Sequence, residues 1–336
     1  MKVLNCTTPG HFEYQDKPEP ASRAGYSLLR IQKVGICGTD LHAYKGRQPY
    51  FEYPRILGHE VAAEYVSGDA PDIRPGDLCT FLPYISCGSC IACRSGKTNC
   101  CSRLVVCGVH LDGAMAEYYL VPSPLIIPGE NLSEDELALV EPMSIAAHAI
   151  RRAENIKGKQ VLIFGAGPIG MCTSILALQA GAVVGLADVH AGRLAFASSF
   201  YSIHTFLNRD PSHFINEVRN WTNGDMAPVV IDATGNLQAI ESGLQYLAHG
   251  GQFILVGLQK EAFHFSHPEF HKREATLKSS RNATRKDFIR VRDLIKNKTL
   301  SVDPLITHRI PFGVVAKQFE TLYDPGNLVM KAVIEF

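Results

Sequence analysis

The sequence lacks an excess of either charge: 33 lysines and arginines balance 33 aspartates and glutamates over 336 residues. A chain without a basic face offers no electrostatic footprint for nucleic acid or an anionic membrane surface, and neither is expected as a partner. No apolar run reaches membrane-spanning length. The start, MKVLNCTTPGHFEY, has neither an apolar signal core nor a small-residue cleavage site, so a cytoplasmic location is expected. Repeats and low-complexity tracts are missing, and tryptophan occurs once. What remains is a globular composition at a length beyond one ordinary domain, which predicts two cores.

Cysteine, in contrast, is plentiful and unevenly placed. Of the 10 cysteines, Cys87, Cys90, Cys93, Cys100, Cys101 and Cys107 crowd into one short stretch. In a large chain without a secretory signal, such crowding favours metal thiolates over disulfides. Cys87, Cys90, Cys93 and Cys101 are spaced so that tight turns bring four sulfurs around one tetrahedral zinc with no open position. A closed site of this kind holds structure. Cys100 competes with Cys101 for the fourth place, and the regular spacing prefers Cys101. Cys6, Cys79, Cys100, Cys107 and Cys172 read most simply as small buried apolar residues.

A second metal site is expected from GICGTDLHAYKG and PRILGHE, which supply Cys37, His59 and Glu60. Thiolate, imidazole and carboxylate suit an open zinc whose remaining position takes a substrate oxygen. A histidine beside a glutamate is ordinarily a core or surface pair; Cys37 and the neighbouring four-cysteine stretch raise it to a ligand set. Glu141, just before Pro142, is a further carboxylate, expected either to ligate directly or to hold the zinc water. A Lewis-acidic zinc, whose bound water has a pKa of ~9 in solution and ~7 in a protein site, favours an alkoxide that expels hydride. Thr39 and His42 supply a hydroxyl and an imidazole for relaying the proton to solvent, Thr39 being alternatively a helix N-cap.

The texture of the chain changes along its length. Short β-rich runs such as YSLLRIQKVG, HEVAAEYV and AEYYLVP fill the first part, separated by Gly and Pro. Ser133 and Glu136 form a capping box opening a helix that Pro142 should bend. After Lys159, strands and helices alternate: QVLIFG, PIGMCTSILALQA, AVVGLAD, helices through Arg193 to Phe200 and Phe214 to Trp221, PVVIDATG, a helix through Leu247, and QFILVG. That alternation predicts a doubly wound parallel sheet. A helix is expected near Thr284, and MKAVIEF is a final strand placed to rejoin the first lobe.

Gly165, Gly167 and Gly170 form GxGxxG between a strand and a helix, where backbone can approach a pyrophosphate at the helix N-terminus. Asp188 ends the next strand at the offset of a residue that hydrogen-bonds a ribose 2′-hydroxyl, which favours NAD over NADP.

These residues resemble the zinc-dependent medium-chain alcohol dehydrogenase superfamily over essentially the whole chain, through CGTDLH, GHE, the four-cysteine stretch, VEP and GAGPIG. Within it, Glu60 beside Cys37 and His59 resembles the polyol and sugar-acid branch, with Glu141 as its further active-site carboxylate. The resemblance implies an α/β chain with a GroES-like β-rich catalytic domain carrying both zinc sites (1–145), a Rossmann domain (146–284) and a returning C-terminal segment (285–336). It implies oxidation of a secondary hydroxyl of a sugar acid, with a neutral-polyol dehydrogenase as alternative and a non-catalytic zinc- and NAD-binding sensor as the different class.

The resemblance extends the cofactor contacts to Pro168, Ile169, Arg193, Thr234, Val256, Gly257, Ser280, Arg281, Asn282 and Lys331. Lys331 reads either as a pyrophosphate contact or as a solvent-facing side chain. Tyr50, Phe51, His110, Glu141, Arg281 and Asn282 become substrate candidates. Arg281, whose planar fork matches a carboxylate, serves equally well for the cofactor. A homodimer or homotetramer, pairing through QFILVG as the last Rossmann strand, is a further implication. Ala63 and Ala114 depart from the superfamily's glycines at those positions.

Overall fold

Period-two burial shows directly in the longest strand of the first part, Tyr26–Ile36, where Ser27, Leu29 and Ile31 are buried between more accessible neighbours. In this computed structural model, which describes residues 1–48, 51–324 and 326–336, that strand is the centre of a seven-stranded sheet. It pairs antiparallel with Glu60–Gly68, with Tyr118–Pro122 and, at its far end, with the C-terminal strand Lys331–Glu335. MKAVIEF therefore does rejoin the first lobe, and it brings a parallel neighbour, Ile306–Pro311. Leu29, Ile31, Val34, Val61 and Ile334 belong to the core beneath this sheet.

The chain divides into two units, Met1–Glu141 with Thr284–Phe336, and Pro142–Ala283. The divisions fall at Glu141/Pro142 and Ala283/Thr284, against the expected 145/146 and 284/285. Helix Glu134–Arg152 continues across the first of them with Pro142 inside it. Ser133 opens it as a capping box: its N–H donates to Glu136 Oε2 at 2.8 Å, and Glu136 N–H donates back to Ser133 Oγ at 3.3 Å. Thr284 caps the helix Arg285–Lys296 in the same manner through Asp287.

The second unit is a six-stranded sheet, parallel throughout its pairings, in the order His204–Leu207, Val183–Asp188, Gln160–Phe164, Ala227–Asp232, Leu247–Leu255, Thr276–Ser279. Its centre is apolar and buried on both faces, with Leu162, Phe164, Val230 and Phe253 packed against Phe206, Phe214 and Tyr246. Two expectations are corrected here. The helix before QFILVG ends at Gly243, and Leu247 already opens the strand. QFILVG is not the last strand: both its edges are hydrogen-bonded, to Ala227–Asp232 and to Thr276–Ser279. No free ladder remains on it for a second copy. Among the described residues, no helix is long and apolar enough to cross a membrane.

Candidate functional site

Two clusters of metal-ligating side chains stand out among the described residues: Cys87, Cys90, Cys93 and Cys101, and Cys37, His59 and Glu60, each with its donor atoms within 4.8 Å of one another.

The four-cysteine cluster is made by local turns. Cys90 caps the short helix Ile91–Arg94, and its sulfur lies 3.5 Å from that of Cys93. Four sulfurs about 2.3 Å from one ion stand only slightly farther apart than this, so the cluster fits a tetrahedral zinc. The N–H groups of Cys87 and Arg103 donate to the Cys101 sulfur at 3.2 and 3.3 Å. Backbone and hydroxyl donors of Ser89 pull the Cys87 thiol down to about 5, and the Cys93 backbone leads in drawing Cys90 to about 7. Lowering favours the ligating thiolate form at Cys87 and Cys90, whereas burial and the neighbouring cysteines push the Cys93 thiol up to about 11. Cys100 points elsewhere and is exposed, while Cys6, Cys79, Cys107 and Cys172 are buried.

The mixed cluster is assembled from distant parts of the first unit. Cys37 directly follows the strand Tyr26–Ile36 and caps the helix Gly38–Tyr44. Asp40, at the third position of that helix, accepts from Cys37 N–H at 2.8 Å with one oxygen. Its other oxygen accepts from Gly58 N–H at 3.1 Å and lies 3.8 Å from His59 Nδ1. One buried carboxylate thus ties together the two segments that carry the metal donors. The cap is Cys37, and Thr39 sits within the first turn, which corrects the N-cap reading of Thr39. Thr39 is half-buried and His42 exposed, and their separation of three places them on one helix face.

Glu60 opens the strand Glu60–Gly68 opposite Gly35. A Cβ at Gly35 would stand 2.2 Å from Glu60 Oε2, so the carboxylate occupies space that only glycine leaves. Lys331, from the C-terminal strand, donates to both Glu60 oxygens at 2.6 Å and to the Ile36 carbonyl at 3.2 Å. Lys331 is 3% exposed, which corrects the solvent-facing reading of it. Its ammonium is committed to the carboxylate beside His59.

Glu141 does not join the three donors within 4.8 Å, but it shares their field. Tyr84 donates its hydroxyl to Glu141 Oε1, while Oε2 is buried with no partner. Burial holds the Glu141 carboxyl up at about 7, Glu60 adding to the rise while His59, Tyr84 and Lys331 oppose it. Burial and Glu141 keep the Tyr84 phenol well above its ordinary range, so it is the donor. Burial disfavours charge on His59, yet Asp40, Cys37 and Glu141 outweigh it and lift the imidazole well above its usual value. These surroundings favour positive charge; His59 Nδ1, with Asp40 no nearer than 3.8 Å, and Glu141 Oε2 are buried polar atoms without a hydrogen-bond partner. A divalent cation fits this donor set.

The remaining first-unit candidates are scattered. Tyr50 lies outside the described residues. Phe51 packs edge-on against Tyr53 at 4.7 Å, and His110, exposed, accepts from Val106 N–H at 3.1 Å.

In the second unit the glycine turn takes the expected form. Gly165 adopts φ +98°, and a Cβ at Gly170 would fall 1.6 Å from the Gly165 carbonyl. Gly167 caps the helix that begins Pro168–Ile169, and Arg193 Nη1 lies 3.9 Å from where a Gly167 Cβ would stand. Asp188 has a structural role that its offset did not predict: its two oxygens accept from Ala166 N–H at 2.7 Å and His190 N–H at 2.8 Å, pinning the turn itself. Thr234 packs against Gly165, and Val256 and Gly257 both donate to the Asp232 carbonyl, at 2.9 and 3.1 Å. The Ser280 hydroxyl is buried without a partner, Arg281 is exposed, and Asn282 has φ 51°.

Asp40 and Tyr84 were missed by sequence reasoning. The signal for Asp40 was its place three residues after the cap, the spacing of a capping box; Tyr84 carried none.

Comparison with known proteins agrees with this geometry. Residues 23–131 match the alcohol dehydrogenase GroES-like domain and residues 168–297 the zinc-binding dehydrogenase domain. The chain is 40% identical over its whole length to L-galactonate-5-dehydrogenase of Escherichia coli (strain K12), covering 99% of that protein. It is 30% identical to a probable D-xylulose reductase A of Aspergillus clavatus, over 92% of this chain and 89% of the relative. The crystal structure of an alcohol dehydrogenase from Escherichia coli CFT073 complexed with NADH superposes with a TM-score of 0.93 at 26% identity, covering 100% of this chain and 99% of that one. With its mixed thiolate, imidazole and carboxylate cluster and its glycine turn, the chain belongs to the zinc-type alcohol dehydrogenase family.

Proposed function

We propose that the chain oxidises a secondary hydroxyl of a sugar acid to a ketone with NAD, with L-galactonate to D-tagaturonate as the leading pair and L-gulonate or L-idonate as related substrates. The observation that carries this reading is the full-length 40% identity to L-galactonate-5-dehydrogenase. A zinc ion held by Cys37, His59 and Glu60 supplies Lewis acidity toward the alcohol oxygen, and a second, held by the four cysteines, supplies only shape.

The chain's own residues do the rest. Asp40 fixes the backbone on either side of the donors, and Lys331 balances the Glu60 charge. Thr39 and His42 pass the alcohol proton from a half-buried position to an exposed one. The hydride leaves the alcohol carbon for the nicotinamide ring, so the products are ketone, NADH and a proton. The glycine turn and the N-terminus of helix Pro168–Gln179 receive the pyrophosphate. The Asp188 carboxylate accepts a ribose 2′-hydroxyl and repels a 2′-phosphate, which supports NAD over NADP. The Arg281 guanidinium is the cation offered to the substrate carboxylate.

A screen of aldonates with NAD, followed at the nicotinamide absorbance, tests the reading. NADH formation with L-galactonate is expected, and silence with L-galactonate, L-gulonate and L-idonate together removes the acid assignment. The relative named D-xylulose reductase favours a second reading, a neutral-polyol dehydrogenase. Arg281→Ala separates the two: at unchanged NAD affinity, an enzyme for acids loses far more kcat/KM than an enzyme for polyols.

A further inference from the structure

Tyr84 opens the two-residue strand Tyr84–Ile85, which leads into the four-cysteine lobe. Its partner strand, Val105–Val106, leads out of the lobe, with Tyr84 opposite Val106 and Cys107 N–H donating to the Pro83 carbonyl at 3.0 Å. The backbone of Tyr84 is therefore clamped at the base of the lobe. Tyr84 is 5% exposed, and its ring meets Phe288 edge-on, with centroids 6.3 Å apart. A phenylalanine would satisfy all of that packing. The hydroxyl has one further partner in view, Glu141 Oε1.

A buried carboxylate with one oxygen unpartnered bears a desolvation cost unless something completes it. The Oε2 atom of Glu141 is in that condition. Among the charges that act on Glu141 are His59 and Glu60 of the mixed cluster and Lys331 beside Glu60, and the phenol of Tyr84 itself lies in the field of Cys37 and Glu60. We propose that Tyr84 is a positioning residue for Glu141: by donating to Oε1 it holds the carboxylate in one orientation, so that Oε2 alone is presented to the metal centre of Cys37, His59 and Glu60. The four-cysteine lobe thereby acts on the reactive centre through its own base strand.

This assignment rests on the reading of Cys37, His59 and Glu60 as a metal site and is independent of which alcohol is oxidised. Its test uses the full-length protein with cobalt(II) in place of zinc, whose visible bands report the mixed-donor site. Tyr84→Phe is expected to keep the ring packing and the four-thiolate bands, to shift the mixed-donor bands, and to weaken cobalt there about 10- to 100-fold, the range for loss of an outer partner of a metal ligand. With any alcohol that is turned over, kcat falls while KM holds. In a Glu141→Ala background, Tyr84→Phe adds nothing. Unchanged bands and affinity, or effects that add in the double variant, overturn the proposal.

Glu141→Gln decides the matter even where Tyr84→Phe fails to fold. Tyr84 then takes the single acceptor oxygen of the amide, and the glutamine variant is expected to be as impaired in cobalt affinity as Glu141→Ala. A glutamine variant with near-native affinity shows that the amide turns freely and that Tyr84 orients nothing. Failure of every alcohol screen, with the cobalt results as expected, removes the proposed substrate and leaves this assignment in place.

Discussion

The two metal-ligating clusters use the same element of the side-chain alphabet, the cysteine thiolate, in opposite ways. The lobe of Cys87, Cys90, Cys93 and Cys101 takes all its donors from one short stretch, three of them partly accessible to solvent, and lowers the thiols of Cys87 and Cys90 chiefly with backbone N–H groups. The cluster of Cys37, His59 and Glu60 is largely buried and draws on a strand end, a second strand and, through Lys331, the last strand of the chain. Backbone donors stay in place whatever side chains surround them. Charges arranged around a buried imidazole are contributed one residue at a time and are lost one residue at a time. The lobe should therefore fail as a unit, and the mixed cluster piecemeal.

The largest effect is expected in the lobe. Cys101→Ser removes a ligand from a closed site of the kind whose binding free energy is folding free energy, of order 10 kcal/mol in small zinc domains. Metal analysis should find about one zinc fewer per chain, with protease cutting inside the lobe, while Cys100→Ser leaves both readings alone. An equal loss from Cys100→Ser would undo the assignment of the fourth ligand.

Next comes the buried pair at the other cluster. Lys331→Met leaves Glu60 without its counter-charge, and removing one partner of a buried pair costs about 3–5 kcal/mol. Urea unfolding of the variant should show that loss, with the lobe's metal content intact. An unmoved midpoint means that Glu60 does not depend on Lys331.

Cys37→Ser is expected to lower turnover by more than about 100-fold, because a metal ligand matters more than the outer partners whose loss costs 10- to 100-fold. Thermal stability of the lobe should not follow. If both metals leave together, the two clusters are not independent and the comparison breaks.

The smallest effect lies outside both clusters. Hydrogen bonds from Arg309, joined by Lys33, hold the Asp135 carboxyl down at about 2, below its ordinary 3.8. The contribution is thus fully present above about pH 4 and is lost as the pH falls through about 2. Because these side chains are partly exposed, 31% for Asp135 and 44% for Arg309, it amounts to less than about 1 kcal/mol. Asp135→Asn should flatten the acid limb of the stability profile between pH 4 and 2 without changing metal content. A change in metal content would show that surface charge reaches the clusters.

What could be read from the sequence was what neighbouring residues decide. The thiolate spacing of the lobe, the glycine turn before helix Pro168–Gln179, the capping box at Ser133 and the alternation of apolar strands with helices all depend on residues within a dozen or so positions. Turn geometry and side-chain periodicity act over that range. Strand Thr276–Ser279 escaped notice because it is mostly exposed and carries no apolar run, and its presence moved QFILVG from the edge of the sheet to its interior.

Tertiary structure alone decided which charges meet. Lys331 reaches Glu60 only because the last strand pairs with Tyr26–Ile36, next to the strand that carries Glu60. Asp40 reaches Gly58, and Tyr84 reaches Glu141, by the same kind of long-range closure. A side chain's residue type states which bonds it is able to make, and its local sequence states its backbone conformation. The partner it finds in the interior, where an unmatched charge is costly, is set by how distant strands are brought into register.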